Sequence, residues 1–273
     1  MKQKARSQIL CAGIALLGLC ATAQAHQVWL EQPEGENAVI RFGEFGENLR
    51  ETSPGLLDNF GSPTAKLFTK SKTRALTPAK GATGFTLPVR LAPGESLIAE
   101  DALFPIRVFR REGQEGRNAR SGEGRDARGG GRESREGHEA PGEIRTWYWP
   151  AARLITDFSA QLPSLALDIV PAEKTGAFKV MFKEKPLPKA EVQILVQSGW
   201  RKKARTNAEG LVEFDLPWQG QYVVEVSHIE RAPGERKGEK YDSINYVTTL
   251  TLVQPAGAAP FPAGPVAKPN PAK

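Results

Sequence analysis

The chain has 273 residues, with 37 basic and 31 acidic side chains, three histidines and two cysteines. The small basic excess is not concentrated in the way a nucleic-acid-binding face would be, so no nucleic-acid partner is expected. Both cysteines, Cys11 and Cys20, lie near the start, which leaves nothing for a disulfide framework or a thiolate zinc site in the rest of the chain.

The first 25 residues read as a secretory signal. Lys2, Lys4 and Arg6 form a basic start, and Ile9 to Cys20 is an apolar run of about 12 residues, too short to span a bilayer. Ala23-Gln24-Ala25 is a small-x-small cleavage site, so signal cleavage is expected after Ala25. A lipoprotein cleavage before Cys20 would want a small residue where Leu19 stands. Export to the periplasm or the exterior follows as an expectation. The mature chain would carry 34 basic against 31 acidic residues and would depend on an ordinary hydrophobic core.

The segment from His26 to Val108 contains short apolar runs separated by Gly and Pro, at 28–30, 38–42, 65–68, 84–89 and 96–99. Each is of strand length. One helical turn is predicted over Pro54 to Phe60, capped by Ser53. Residues 110–139 hold eight Arg, seven acidic residues and eight Gly with almost nothing apolar, the composition of a disordered insertion. Strands resume at 146–149, 153–158 and 165–170.

From 171 to 253 the alternation is clear, with strands predicted at 178–182, 190–196, 200–206, 211–216, 222–228 and 244–253. Residues 254–273 are Pro-, Ala- and Gly-rich and read as a disordered tail. The expected fold is all-β. Two β-sandwich-like units are expected, an N-terminal one over 26–170 interrupted by the insertion and a second over 171–253.

Three segments carry a resemblance: Lys185-Pro186-Leu187-Pro188-Lys189-Ala190-Glu191-Val192, Thr206-Asn207-Ala208-Glu209-Gly210, and Gly220-Gln221-Tyr222-Val223-Val224-Glu225-Val226. Together they are similar to the transthyretin-like (Ig-like) module of many exported proteins, in which a T-(N/D)-x-x-G turn joins two strands. With His26-Gln27-Val28-Trp29-Leu30, His228, Tyr241-Asp242 and Thr248-Thr249-Leu250-Thr251, the whole chain resembles a bacterial periplasmic family. That family carries a domain of unknown function and is often labelled nickel- or cobalt-uptake associated. The resemblance implies periplasmic handling of a transition metal, with a membrane metal transporter as partner.

The residues themselves support a related reading. Cleavage after Ala25 would make His26 the first residue, and its α-amine and imidazole Nδ1 would then form a chelate that an internal histidine cannot make. Of the other histidines, His138 lies in the insertion, and His228 ends a predicted strand on the face of Tyr222, Val224 and Val226. His26 and His228 together would give a three-nitrogen brace suited to Cu(II) or Ni(II), with cobalt the third candidate from the resemblance. Asp242, in the loop after His228, is the candidate carboxylate to complete the site or to accept a hydrogen bond from a ligand imidazole. The plainer alternatives are a histidine that merely caps a core face at 228 and a solvated Asp242. No nucleophile elbow, phosphate loop or His-Glu-x-x-His motif is present, so an enzyme is not expected. Two other readings stay open: a copper-dependent oxidase of the histidine-brace type, and a metal-free carbohydrate-binding or adhesion sandwich.

Overall fold

The computed structural model describes residues 26–110 and 143–271. The expected leader with its Ala25 cleavage site, and nearly all of the Arg/Gly-rich segment including His138, lie outside the described residues. Among the described residues every regular element is a strand or a short 3₁₀ turn, so the fold is all-β.

The strands are, in chain order, β1 (Gln27–Glu31), β2 (Val39–Glu44), β3 (Leu49–Arg50), β4 (Thr64–Phe68), β5 (Thr73–Leu76), β6 (Ala79–Lys80) and β7 (Phe85–Thr86). They continue with β8 (Ser96–Glu100), β9 (Ile106–Arg110), β10 (Glu143–Ile155), β11 (Leu167–Pro171), β12 (Ala177–Phe182) and β13 (Lys185–Pro186). The last are β14 (Glu191–Val196), β15 (Arg201–Arg205), β16 (Leu211–Glu213), β17 (Gly220–Glu230), β18 (Gly234–Arg236), β19 (Glu239–Tyr241) and β20 (Ser243–Gln254).

A nine-stranded sheet dominates, in the order β15-β14-β17-β20-β10-β8-β4-β5, with β9 also paired to β10. Its two long central strands, β10 and β20, run parallel, from Thr146 opposite Ser243 to Leu154 opposite Thr251. This sheet crosses the boundary expected at 170–171. Strands from both sequence blocks lie in it, so the two expected units share one sheet and differ in which face they cover.

The alternation along the central strands sets the two faces apart. On β20, Val247 belongs to a core with Val28, Leu30, Ile40 and Phe42 of the sheet built on β1 and β2. Tyr246, Leu250 and Leu252 belong to a second core with Leu167, Ile169, Phe178 and Val180 of the sheet built on β11 and β12. On β10, Tyr148, Ala152 and Leu154 join the first core, and Ile155 joins the second with Trp147 and Trp149 packed against it. Odd and even positions of a strand point to opposite faces, so one central sheet separates two cores.

Adjacent threonines tie both layers down. Thr248 Oγ1 donates to the Leu167 carbonyl and Thr249 Oγ1 to the Val28 carbonyl, each at 2.7 Å. Both hydroxyls are buried, and each such bond is worth about 1 kcal/mol net.

The Thr206–Gly210 motif also has a local cause. Asn207 Oδ1 accepts from the backbone N–H groups of Glu209 and Leu211, closing the turn. Gly210 sits at φ +75°, and a Cβ there would lie 2.6 Å from the Val180 carbonyl oxygen, so no larger residue fits.

Three expectations are corrected. The turn near Pro54 is a 3₁₀ turn, Leu56–Asn59, preceded by Gly55 and not by a Ser53 cap. Asp58 accepts from the Gly55 N–H at 2.9 Å and from the Ser53 hydroxyl at 2.6 Å, so the carboxylate does the work assigned to Ser53. The loop after His228 contains the hairpin β18–β19. The segment after β20, expected to be disordered, is laid against the protein up to the last described residues. The Ala258 N–H donates to the Pro217 carbonyl, the Gln219 N–H to the Ala258 carbonyl, and the Ala267 N–H to the Asn48 carbonyl. Proline stiffens this segment and so reduces what ordering costs, and these few backbone bonds are enough to lay it down.

A buried ion pair secures the link between β10 and β11. Arg153 and Asp168 are 1% and 0% exposed; the Arg153 Nε lies 3.0 Å and its Nη2 2.5 Å from the carboxylate oxygens, and Nη1 reaches Gln161. The Ser164 and Leu165 N–H groups complete the Asp168 shell. Asp168→Ala would leave the guanidinium buried without its partner. The expected cost is about 3–5 kcal/mol, read as a lowered urea midpoint with unchanged slope.

Candidate functional site

His26 stands immediately before β1, where the first layer meets the central sheet. Its carbonyl accepts from the Tyr148 hydroxyl at 2.7 Å, and its ring packs on Phe42 with centroids 5.3 Å apart. Burial lifts the Tyr148 phenol well above its ordinary range, against the opposing pull of Arg107, whose guanidinium lies 4.5 Å over the ring. Tyr148 is therefore a neutral donor that anchors the backbone at His26.

Two carboxylates flank the imidazole. Nε2 lies 2.5 Å from Glu51 Oε1, and Nδ1 lies 3.7 Å from Glu44 Oε1. The Glu51 side chain is fully buried, whereas His26 and Glu44 are 18% and 20% exposed. A carboxylate only accepts, so in the neutral imidazole the proton sits on Nε2 and the lone pair on Nδ1 faces Glu44. The β1–β2 register explains the pairing: Gln27 lies opposite Gly43, so continuing the ladder sets His26 beside Glu44. Glu51 follows β3, and its N–H donates to the Phe42 carbonyl.

Burial raises the Glu44 carboxyl above its ordinary value, with His26 opposing and Glu47 and Glu51 adding to the rise. Beneath it, on the same face of the central sheet, burial lifts Glu225 to about 7; a Gln193 hydrogen bond, Lys203 and Arg201 oppose this, and the charge of Glu44 adds to it. The acid of β1 is handled differently. Glu31 is also desolvated, but Arg50 and Arg41 outweigh that burial and hold it below its ordinary range.

His228 is on the other face. Its ring lies 4.4 Å from that of Phe182 in the second layer, and Tyr246, opposite it in register, belongs to the second core. Glu230 beside it is engaged by Lys183 at 2.5 Å and by the Tyr246 hydroxyl at 3.1 Å. Burial lowers the His228 imidazole below its ordinary value, Glu230 opposing and Lys183 adding. The structure therefore does not bring His26 and His228 together; the nine-stranded sheet lies between them, and the three-nitrogen brace is not assembled. The strand face of His228 is the expected one. What differs is that the His26 layer packs on the opposite face.

Asp242 is not beside either ring as a supporting carboxylate. It is exposed, accepts from the Arg145 N–H at 2.7 Å and donates its own N–H to the Arg145 carbonyl, pinning the starts of β10 and β20 to each other. The residues that do surround His26 are Glu44, Glu51 and Asn270, none of which sequence reasoning selected. Period-two alternation along β17 puts Glu225 on the face opposite His228, which is the His26 face. Among the described residues no group of three or more His, Cys, Asp or Glu side chains converges so as to hold a metal ion.

Residues 158–230 match a family model described as a domain of unknown function, DUF4198. The matched stretch includes His228 and excludes His26. No curated protein and no solved structure matches the chain. Among the described residues no helix is long and apolar enough to cross a membrane.

Glu225, half-buried on β17, generates a pH prediction. Its folded-state value of about 7 lies above the ordinary 4.5, so the folded protein keeps a proton that the unfolded chain releases between those values. Stability attributable to this group falls as pH rises from 4.5 to about 7 and is constant above. Glu225→Gln is expected to flatten that slope, measured as urea midpoints at several pH values across the window.

Proposed function

We propose that this chain is exported, loses residues 1–25, and binds a divalent transition metal through its new N-terminus. The His26 α-amine and Nδ1 would form the chelate, and Glu44 would supply an oxygen. A mixed nitrogen and oxygen set suits Cu(II) or Ni(II), and cobalt remains in the reading through the family resemblance. The biological role proposed is uptake or delivery of nickel, cobalt or copper, with a membrane metal transporter as partner. Periplasmic location belongs to the same proposal.

One observation carries this reading. Glu51, wholly buried, takes the Nε2 side of His26 and leaves Nδ1 directed at Glu44 3.7 Å away. Metal-bound histidines characteristically give their other ring N–H to a carboxylate, which fixes tautomer and orientation. Metal–nitrogen and metal–oxygen bonds of about 2 Å each would bridge a gap of this size at an obtuse angle. Nδ1 is also the ring nitrogen that a terminal α-amine can join in a chelate. His228 has no part in the site, which distinguishes it from a two-histidine brace.

Calorimetric titration with Cu(II), Ni(II) and Co(II), on protein whose first residue is His26, tests this. One added Ala before His26 is expected to abolish tight binding, because the free amine moves away from the ring. Glu44→Gln is expected to weaken binding by about 10–100-fold, the range seen when groups around a metal ligand are altered, and His228→Ala to leave it unchanged. Equal affinity with and without the added Ala would refute the chelate. The N-terminal residue of the exported protein, read by intact mass, tests the cleavage separately.

A further inference from the structure

The C-terminal segment ends on the His26 site. The Asn48 side-chain amide donates to the Gly264 carbonyl at 2.8 Å, and Ala267 forms a parallel bridge with Leu49. Three residues on, Asn270 donates twice to Glu51: its backbone N–H to Oε2 at 3.0 Å, and its side-chain Nδ2 to Oε1 at 2.6 Å. The same Nδ2 lies 3.2 Å from His26 Nε2.

These contacts matter because of where Glu51 is. Its side chain is fully buried, and the side-chain groups on it are His26 and Asn270, neither a lysine nor an arginine. An ionised carboxylate taken out of water needs hydrogen-bond donors in place of the lost hydration. Of the three donors on the two oxygens, one is His26 Nε2 and two are Asn270. Backbone and side chain of one residue thus grip both oxygens and set the plane of the carboxylate, which in turn sets the imidazole.

We infer that Asn270 is a positioning residue of the His26 site, delivered by residues 264–270 acting as a strap across Asn48–Glu51. By fixing Glu51 it holds the His26 ring proton on Nε2 and keeps the Nδ1 lone pair toward Glu44. The role assigned to that lone pair rests on the metal-binding reading above; the hydrogen-bond relay from Asn270 to His26 does not.

The test therefore uses metal-free protein beginning at His26, with ¹⁵N NMR of the His26 ring and amide exchange at Ala267. The wild-type ring is expected to show one tautomer, Nε2–H. Asn270→Ala removes the side-chain donor and is expected to mix the tautomers. Asn270→Asp sets a second carboxylate against Glu51 and is expected to lift the strap, speeding Ala267 amide exchange about tenfold or more, as for loss of a hydrogen bond to a charged group. Asn270→Gln, which keeps the amide, is expected to retain more of the wild-type ring signature than Asn270→Ala. A purely structural strap would leave the ring signals of all three variants as in wild type; that result, or unchanged Ala267 exchange in Asn270→Asp, overturns the inference. No metal is added, so failed metal binding in the titration would leave this result standing, and a failed relay would leave the chelate untouched.

Discussion

The architecture depends on two neighbouring hydroxyls that point in opposite directions. Thr248 bonds the Leu167 carbonyl of one covering layer and Thr249 the Val28 carbonyl of the other. One peptide step on β20 thus serves both cores. The strand can do this because it is central, paired to β10 on one side and β17 on the other, and covered on both faces. A buried hydroxyl without a partner would cost more than the bond contributes, so both covering layers must place a carbonyl opposite it. A shift of register by one residue would exchange the two threonines between faces and turn Val247 toward the wrong core.

Three buried carboxylates show three ways of holding charge away from water. Asp168 has a bidentate guanidinium and two backbone N–H groups. Glu31 has Arg41, Arg50 and the Trp29 indole N–H. Glu51 has neither arginine nor lysine, only a histidine and the two N–H groups of one asparagine. The first two are arrangements a fold uses to tie strands together. The third places a titratable ring, partly open to solvent, between one buried acid and one accessible acid. That arrangement is the one on which the proposed chelate rests.

Much of the fold was legible. The runs at 28–30, 65–68, 96–99, 178–182 and 222–228 lie within strands, and those at 38–42 and 190–196 do so except for their first residue, because alternation and turn residues are local signals. The short strands β5, β6 and β13 were not separately legible, since a few residues at a sheet edge carry little pattern. The site was legible only at His26. Glu44 and Glu51 look like ordinary polar positions in a sequence; their approach to the ring depends on the register of β1 with β2 and on the close passage of β3. Asn270 is the furthest case, 244 residues from His26, in a segment whose composition argues for disorder. Its backbone hydrogen bonds, together with the Asn270 side chain on Glu51, order it.

By itself the sequence determined the all-β class, the positions of most strands, the face of β17 on which His228 lies, and the presence of a histidine directly after a small-x-small motif. All of these follow from nearest-neighbour patterns along the chain. Only the tertiary structure decided which layer covers which face of the central sheet. That choice set His228 against Phe182, set His26 between Glu44 and Glu51 on the other face, and brought Asn270 across to them. Period-two alternation assigns a side chain to a face; it carries no information about what will pack there.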